Sequence, residues 1–311
     1  MGNAIFLWIT LTLLTGWGLV KQGGHQSHPA PPKVIIPVLC LADDKMTSGW
    51  KSALASRMSK PALDSVAALA LPLSQEQKEW IHLIESKKAG WGLILDSLAI
   101  PFRNCIAPDT TILFMGNSGN DDGFTFGLNT VCLDLRALYN NYGPAAIPEN
   151  SGRIDRIFAH EFTHLLHKQW AELNHFELRT FKDSILWECL YEGIGMYRSL
   201  SSKWLPADGV LPGITIKTLA SLYPVFTDRL LAAASSPSPD EASKNSIVSN
   251  LSRGPVDKKW GAFTVAIWLA LESKGDERKL AFWIDHHLAS PISLAKKYLP
   301  ATDKKRLEQW Y

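Results

Sequence analysis

The sequence predicts an α+β fold in which a small mixed sheet comes first and a mainly helical lobe follows. Segments with the β-branched and apolar content of strands are confined to residues 34–138. From residue 153 onward, apolar residues recur at helical spacing almost throughout. The chain has 311 residues, of which 46% are hydrophobic and 20% charged, and we find no internal repeat. We therefore expect one domain in two lobes.

The first element is an N-terminal segment, residues 4–20 (AIFLWITLTLLTGWGLV), which contains no charged residue. Residues 21–33 follow and are polar and rich in Gly and Pro, as in a linker. As a helix, 17 residues would extend about 25 Å, whereas the hydrocarbon core of a bilayer is about 30 Å thick. We expect residues 1–20 to be a signal peptide or a membrane anchor, and residues 34–311 to form the folded domain.

This segment predicts an extracytoplasmic location, with the protein secreted, periplasmic or membrane-anchored through residues 4–20. An export signal usually has a Lys or Arg ahead of its apolar run, and none precedes this one. The alternative is therefore that the run forms a buried N-terminal helix. Over the whole chain 32 Lys and Arg stand against 30 Asp and Glu, with no long basic run. We therefore expect no nucleic-acid partner.

Four cysteines are present, which export would allow to pair. Cys40 and Cys189 lie in apolar segments and are expected to be small core residues. Among the possible disulfides, we favour the one between Cys105 and Cys132.

The sheet lobe is predicted from three strands and one helix. Residues 34–42 (VIIPVLCLA) are typical of a buried strand. Residues 74–90 predict a helix that begins with a capping box of Ser74 and Gln77 and ends at Gly90. Residues 111–117 and 130–138 predict two strands around the turn-rich sequence NSGNDDGFTFG.

The helical lobe begins with a helix from residue 153 that contains the sequence HEFTH. A second helix covers residues 183–200, with Asp183 or Ser184 as its cap. The Ser- and Pro-rich residues 232–250 predict a loop. Residues 256–275 predict a helix that ends at Gly275, and one or two further helices complete the chain.

His160, Glu161 and His164 form the pattern H-E-x-x-H within the first of these helices. Residues four apart lie one turn apart on the same face, so both imidazoles can bind one ion. Glu161 is adjacent to them and can reach a water molecule at that ion. The alternative is a solvated helix face with two histidines.

A catalytic zinc ion usually has three protein ligands, so a third ligand must come from elsewhere. His167 is about 10.5 Å further along the helix from His160, too far to share an ion. The metzincin pattern would need a Gly and a His where this chain has His167 and Trp170. The next helix offers Glu188 and Glu192, and we favour Glu192 because Gly193 and Gly195 would allow that helix to approach closely.

The combination of HEFTH and EGIGMY resembles the gluzincin metallopeptidases, in particular the predicted zinc-protease families whose second motif is EGxAxY. The resemblance covers roughly residues 110–200 and implies a zincin-like fold. It also implies that His160, His164 and Glu192 bind one Zn²⁺ and that Glu161 is the catalytic base. Gly195 stands where the family usually has Ala.

A second departure concerns the oxyanion donor, since related peptidases often have a Tyr where this chain has Lys258. The remaining candidates for that donor are His286, His287, Tyr191, Tyr197 and Tyr223.

These observations predict a zinc-dependent peptidase that acts on a peptide or protein substrate. The strand TILFMGN or the strand TVCLDLRAL would align an extended substrate by β-addition. One alternative is a non-catalytic, zinc-binding and membrane-tethered interaction module, which would have no need of Glu161 as a base. The other is a zinc hydrolase that acts on a non-peptide amide or ester.

Export can be tested with a reporter enzyme that is active only outside the cytoplasm, fused after Ile35. We expect the reporter to be active because residues 4–20 would direct its translocation. The control is a reporter that is active only in the cytoplasm, fused at the same junction. Activity of that control would place the protein in the cytoplasm.

Overall fold

The computed structural model describes residues 33–235 and 238–308 and has the predicted α+β class. All of these residues belong to one compact unit. The predicted signal or anchor segment, residues 1–20, and residues 21–32 of the predicted linker lie outside the described residues. Among the described helices, none combines the length and the apolar character needed to cross a membrane.

The main sheet has four strands, which are β1 (Val34–Leu39), β4 (Thr110–Gly116), β5 (Gly123–Phe126) and β6 (Thr130–Asp134). Their order across the sheet is β1-β4-β6-β5. Strands β1, β4 and β6 are parallel, whereas β5 is antiparallel to β6. The sheet is therefore mixed, and β1 and β5 are its edges. A short hairpin of β2 (Leu41–Ala42) and β3 (Lys45–Met46) follows β1.

Alternation along the inner strands divides the sheet residues between two cores. Leu113 and Met115 of β4 face the main core, which includes α3 (Gln75–Ala99) and α5 (Pro148–Leu173). Phe114 and Cys132 face a smaller core with Trp50 of α1 (Ser48–Ala55). The sheet thus has helices on both faces. The smaller core also contacts α2 (Lys60–Ala67).

The prediction of a buried strand over residues 34–42 is wrong in extent and in burial. The strand β1 ends at Leu39, and its residues Val34, Ile36 and Val38 are exposed because β1 lies at the edge of the sheet. The capping box of Ser74 and Gln77 is confirmed at the start of α3. This helix does not end at Gly90 but continues to Ala99, since Trp91 and Leu95 extend its buried face beyond the glycine.

The predicted strand over residues 130–138 is too long. Strand β6 ends at Asp134, whose carboxylate accepts hydrogen bonds from the backbone of Arg136 and Ala137 and starts helix α4 (Leu135–Tyr142). The sequence NSGNDDGFTFG predicts turns throughout, yet it contains β5. The four residues of β5 (Gly123–Phe126) are too few for a clear alternation pattern.

The helical lobe contains α5, α6 (Phe181–Ser199) and most of the remaining helices. Those that follow are α7 (Gly213–Ser235), α8 (Glu241–Val248), α9 (Ala262–Ser273), α10 (Leu280–Asp285), α11 (Ala289–Tyr298) and α12 (Ala301–Arg306). Short 3-10 turns lie at Val256–Lys258 and Glu277–Lys279.

Three predictions in this lobe need correction. The cap of α6 is Thr180, which forms a capping box with Asp183, and neither Asp183 nor Ser184 is the cap itself. The expected loop over residues 232–250 contains the end of α7 and all of α8, which Asp240 caps. The expected helix over residues 256–275 begins only at Ala262, although its end agrees, with Gly275 in a left-handed conformation.

The four cysteines are free, so the expected disulfide between Cys105 and Cys132 is wrong. Cys132 points from β6 into the smaller core, where it is fully buried. Cys105 lies beside the main core, and its thiol donates to the backbone oxygen of Leu166. Cys40 and Cys189 are buried core residues, as expected.

Helices α6 and α9 are in close contact at Gly193. A Cβ atom at this position would lie 2.9 Å from Cβ and 2.6 Å from Cγ1 of Val265. Helix α9 is buried on nearly all sides, so it cannot move away without disturbing the core. The absence of a side chain at Gly193 therefore sets how closely the two helices pack.

Gly193→Ala should destabilise the fold by about 1–3 kcal/mol because the added methyl group would overpack this contact. Gly90→Ala is the matched control, since Gly90 also lies within a helix but a methyl group added there would have no atom within 4 Å. We expect the control to be neutral or stabilising by up to about 1 kcal/mol. Urea unfolding measures both values, and a Gly193→Ala variant as stable as the native chain would contradict the packing described.

Candidate metal centre

Helix α5 carries His160 and His164 on the face next to α6. Pro148 occupies the start of the helix, where its missing N–H costs nothing. The buried residues Ile154 and Phe158 pack into the main core. The ring of Phe158 stacks on that of Trp91 in α3, with 4.2 Å between the ring centroids. This apolar face fixes the rotation of α5. The two imidazoles are thereby directed towards α6.

Helix α6 runs antiparallel to α5. His160 of α5 lies beside Ser199 of α6, and His164, one turn later in α5, lies beside the earlier residue Tyr191. The two helices therefore run in opposite directions. Between these contacts α6 presents Glu192. The connection from His164 to Glu192 includes the chain reversal between Leu173 and Phe181.

The structure brings His160, His164 and Glu192 together, and these are the three predicted ligands. The Nε2 atoms of the two histidines are 2.9 Å apart. Oε2 of Glu192 is 3.4 Å from Nε2 of His160, and Oε1 is 3.5 Å from Nε2 of His164. One ligand atom from each residue can thus face a common point between the helices.

This arrangement fits a zinc ion. Two ligand atoms at about 2.0–2.1 Å from a tetrahedral ion are roughly 3.3 Å apart. The distances from Glu192 to the imidazoles agree with that value, and the distance between the imidazoles is somewhat shorter. Two imidazoles and a carboxylate are also a donor set that zinc takes in hydrolases. Among the described residues, this is the group of at least three potential ligands that could hold a metal ion.

Each imidazole is oriented by a different neighbour. Nδ1 of His160 lies 3.3 Å from the hydroxyl oxygen of Ser199, which can accept a hydrogen bond from Nδ1–H and so leave Nε2 free for an ion. The ring of His164 stacks on Tyr191 at 4.0 Å, with 12° between the planes. Nδ1 of His164 is buried and has no hydrogen-bond partner within the described residues, so stacking holds this ring.

Burial and mutual charge decide the protonation of the three groups. Burial lowers the pKa of His164 to about 4, which keeps its imidazole neutral. Burial alone would raise the pKa of Glu192, but the adjacent imidazoles, His164 foremost, hold it well below its usual range. Burial opposes protonation of His160, yet the carboxylates of Glu192 and Glu161 raise its pKa overall. Glu192 is therefore a carboxylate and His164 a neutral ring, as metal ligands must be.

Glu161 lies beside the three ligand groups and is buried. Its Oε1 atom is 4.0 Å from Nε2 of His160. Strand β5 passes directly over it, since a Cβ atom at Gly123 would lie 3.0 Å from Cγ of Glu161. Burial raises the pKa of Glu161 to about 7. A carboxyl group is thus held between the ligand cluster and the edge of the sheet.

The second glycine of EGIGMY is required by the imidazoles. A Cβ atom at Gly195 would lie 2.9 Å from Cε1 of His160 and 3.0 Å from Cε1 of His164. The families with the motif EGxAxY, which the sequence resembles, usually have Ala at this position. In this chain an alanine would displace at least one of the two rings.

A cleft of about 870 Å³ opens onto this cluster. It lies between the edge strand β5, helices α5 and α6, and residues 199–201, 203–204, 252–256 and 259. The charged residues that line it and that the sequence did not single out are Arg57, Asp121, Asp122, Glu149, Arg153, Arg156, Lys168, Lys203, Arg253 and Lys259. Glu149, Arg153, Arg156 and Lys168 belong to α5, and the first three precede His160 at helical spacing. The others come from separate segments that share no motif with α5.

Glu188, the alternative ligand, lies in the cleft but outside the three-residue cluster. Its Oε1 atom accepts a hydrogen bond of 2.8 Å from Ser252. His167 is fully buried among aromatic rings, including Phe102 and Trp187, and burial lowers its pKa to about 3. Neither of its ring nitrogens has a partner within the described residues.

Of the five oxyanion candidates, Tyr191 lines the cleft. Tyr197 contacts Ser273, Tyr223 contacts Trp268, and His286 contacts the backbone of Phe282. His287 packs against Trp170 and Phe176. These four side chains do not line the cleft. Lys258 does not line it either, whereas its neighbour Lys259 does.

Comparison of the chain with protein-family models, with curated proteins and with solved structures finds no match in any of the three. The site is therefore interpreted from its own geometry.

Proposed function

We propose that this protein is a zinc-dependent peptidase with a zincin-like fold. The observation that supports it most strongly is the convergence of His160, His164 and Glu192 at the floor of a cleft, with Glu161 beside them. One Zn²⁺ per chain would be held by the two imidazoles and the Glu192 carboxylate. Zinc supplies a Lewis acid that polarises a carbonyl group and acidifies water.

Other residues of the chain would transfer protons, stabilise the oxyanion and orient the ligands. Glu161 would accept a proton from the attacking water and pass it to the leaving nitrogen. Its place beneath β5 shields it from bulk solvent. Tyr191 is the candidate in the cleft for donating a hydrogen bond to the oxyanion, although its ring is also needed to orient His164. Ser199 would hold the tautomer of His160.

An extended peptide would bind along β5, not along the two strands predicted from the sequence. Strands β4 and β6 each have a neighbour on both sides, so neither can add a substrate strand. Strand β5 is an edge, and Gly123, Phe124 and Thr125 line the cleft. The backbone of β5 would therefore supply the hydrogen bonds of β-addition.

The two alternatives share the same metal ligands. A non-catalytic zinc-binding module would not require a buried carboxyl group beside the ligands, and the presence of Glu161 there favours an enzyme. A hydrolase that acts on a non-peptide amide or ester would differ only in what the cleft accepts, and the edge strand β5 favours a peptide. Export, by way of residues 4–20, is part of the proposal and depends on the sequence alone.

The ligand assignment predicts stoichiometric zinc in the purified chain. His160→Ala, His164→Ala and Glu192→Ala should each abolish it, because two remaining ligands do not hold zinc tightly. Glu188→Ala is the matched control: it removes a carboxylate one turn away on the same helix and should retain one zinc per chain. Metal analysis by mass spectrometry measures the content. Full zinc in Glu192→Ala together with loss in Glu188→Ala would show that the third ligand is Glu188.

Glu161→Gln tests whether the site is catalytic. The change keeps the size of the side chain and removes the base, so fold and zinc content should be unchanged. Cleavage of any peptide that the native chain hydrolyses should slow by about 10²- to 10⁴-fold. The measurement is peptide-library cleavage followed by mass spectrometry. Equal rates for the variant and the native chain, or no cleavage by a zinc-loaded native chain, would favour the non-catalytic module.

A further inference from the structure

Three cations that line the cleft on the side of His160 form no ion pair with any residue that the structure describes. Arg156, Lys203 and Lys259 form neither a side-chain hydrogen bond nor an ion pair within residues 33–235 and 238–308. The Nε atom of Arg156 is buried without any partner. We refer to these three residues as the cationic cluster.

The three residues come from separate elements that meet beside the metal centre. Arg156 lies on α5, one turn before His160. The charge of Lys259 acts on His160, although burial and the nearby carboxylates have larger effects on the pKa of that histidine. Lys203 lies over the ring of Trp204, which packs against Phe263 at the start of α9, close to Lys259 in the chain.

The other cations of the cleft are engaged differently. Arg57 pairs with Asp121 at 2.9 Å, and Arg153 pairs with Glu149 at 2.8 Å. Lys168 donates to Thr125. Arg253 likewise forms no side-chain hydrogen bond or ion pair within the described residues, but its charge acts on the carboxylate of Glu188.

Apart from Glu161, the carboxylates of the cleft are also engaged. Asp122 accepts from Tyr142, Glu188 accepts from Ser252, and Glu192 belongs to the ligand cluster. Like charges that share one wall of a cleft repel each other unless an anion binds between them. The positive charge of the cationic cluster is thus available to a ligand.

We propose that the cationic cluster binds a carboxylate of the substrate, beside the scissile bond on the side of His160. This inference rests on the proposed peptidase function and specifies its substrate class as acidic peptides. The carboxylate can come from an Asp or Glu side chain or from the C-terminus of the peptide. An Arg and two Lys in a partly enclosed cleft offer the charge-assisted hydrogen bonds that a carboxylate accepts.

The first arm of the test measures cleavage. A peptide library identifies the best substrate, which is then made in four forms, with Glu or Gln at the preferred position and with a free or an amidated C-terminus. For an acidic substrate, kcat/KM should fall about 10- to 100-fold when the carboxylate is removed. Whether the Gln form or the amidated form shows the loss identifies the source of the carboxylate. Equal cleavage of all four forms would overturn the inference while leaving the peptidase function in place.

The second arm changes the protein. Lys259→Gln and Arg156→Gln should each lower kcat/KM for the acidic form by about 10- to 100-fold and change that of the neutral form less than about 2-fold. Lys258→Gln is the matched control, since Lys258 is adjacent in sequence and exposed but does not line the cleft. Zinc content and thermal unfolding verify that each variant is folded. An equal loss in Lys258→Gln would show a general charge effect and would overturn the inference.

The third arm measures binding without cleavage. Fluorescence anisotropy of the zinc-loaded Glu161→Gln variant is recorded with two labelled peptide pools that differ only by Glu or Gln, each with free and amidated C-termini. Tighter binding of a carboxylate-bearing pool, lost on adding Lys259→Gln, supports the cluster even when the native chain cleaves nothing. That pattern would reject the peptidase function alone. Equal binding of all pools would reject the cluster.

Discussion

The close approach of α5 and α6 is the constraint on which the rest of the molecule depends. Two imidazoles and a carboxylate can share a point only when the helices that carry them are nearly in contact, and Gly195 leaves room for both rings. Gly193 allows α9 to pack against the other side of α6. Helix α9 is apolar on nearly every side, which suits a helix surrounded by others. The helical lobe thus holds α6 against α5, and the geometry of the cluster follows from that packing.

The sheet contributes through its edge. The inner parallel strands β4 and β6 are covered on both faces, by α1 and α2 on one side and by α3 and α5 on the other, whereas Val34, Ile36 and Val38 of β1 are exposed. Strand β5 reverses direction and ends the sheet above Glu161, so the same helix α5 supports the sheet and carries the imidazoles. A carboxyl group, a backbone edge and two of the three candidate ligand groups, His160 and His164, are therefore fixed relative to one another by a single helix.

The sequence predicts the cluster better than it predicts the cleft, and the reason is physical. Helical periodicity places His160 and His164 on one face, and Gly193 and Gly195 after Glu192 predict close packing of α6 on α5, so local spacing carries the information. Of the two glycines, Gly195 faces the imidazoles of α5, whereas Gly193 faces α9. Strand β5 and the cationic cluster depend on contacts between distant segments, which leave no local pattern. The same limit explains why α3 passes Gly90, where tertiary burial of Trp91 outweighs a cost of about 1 kcal/mol. The disulfide expectation failed because Cys105 and Cys132 lie beside different cores.

Access to solvent is what separates a structural zinc site from a catalytic one. A structural site is closed by four protein ligands, whereas a catalytic site keeps one position for water and substrate. Here the described residues offer three groups between α5 and α6, and the remaining side opens into the cleft beneath β5. The cations on the His160 side would bind an anionic group of the peptide near Lys259, while the edge of β5 would bind its extended backbone. Together the two contacts would hold the peptide at both ends. In the proposed peptidase, a substrate held at both ends would present its scissile carbonyl to the candidate metal site and to Glu161, as general-base hydrolysis requires.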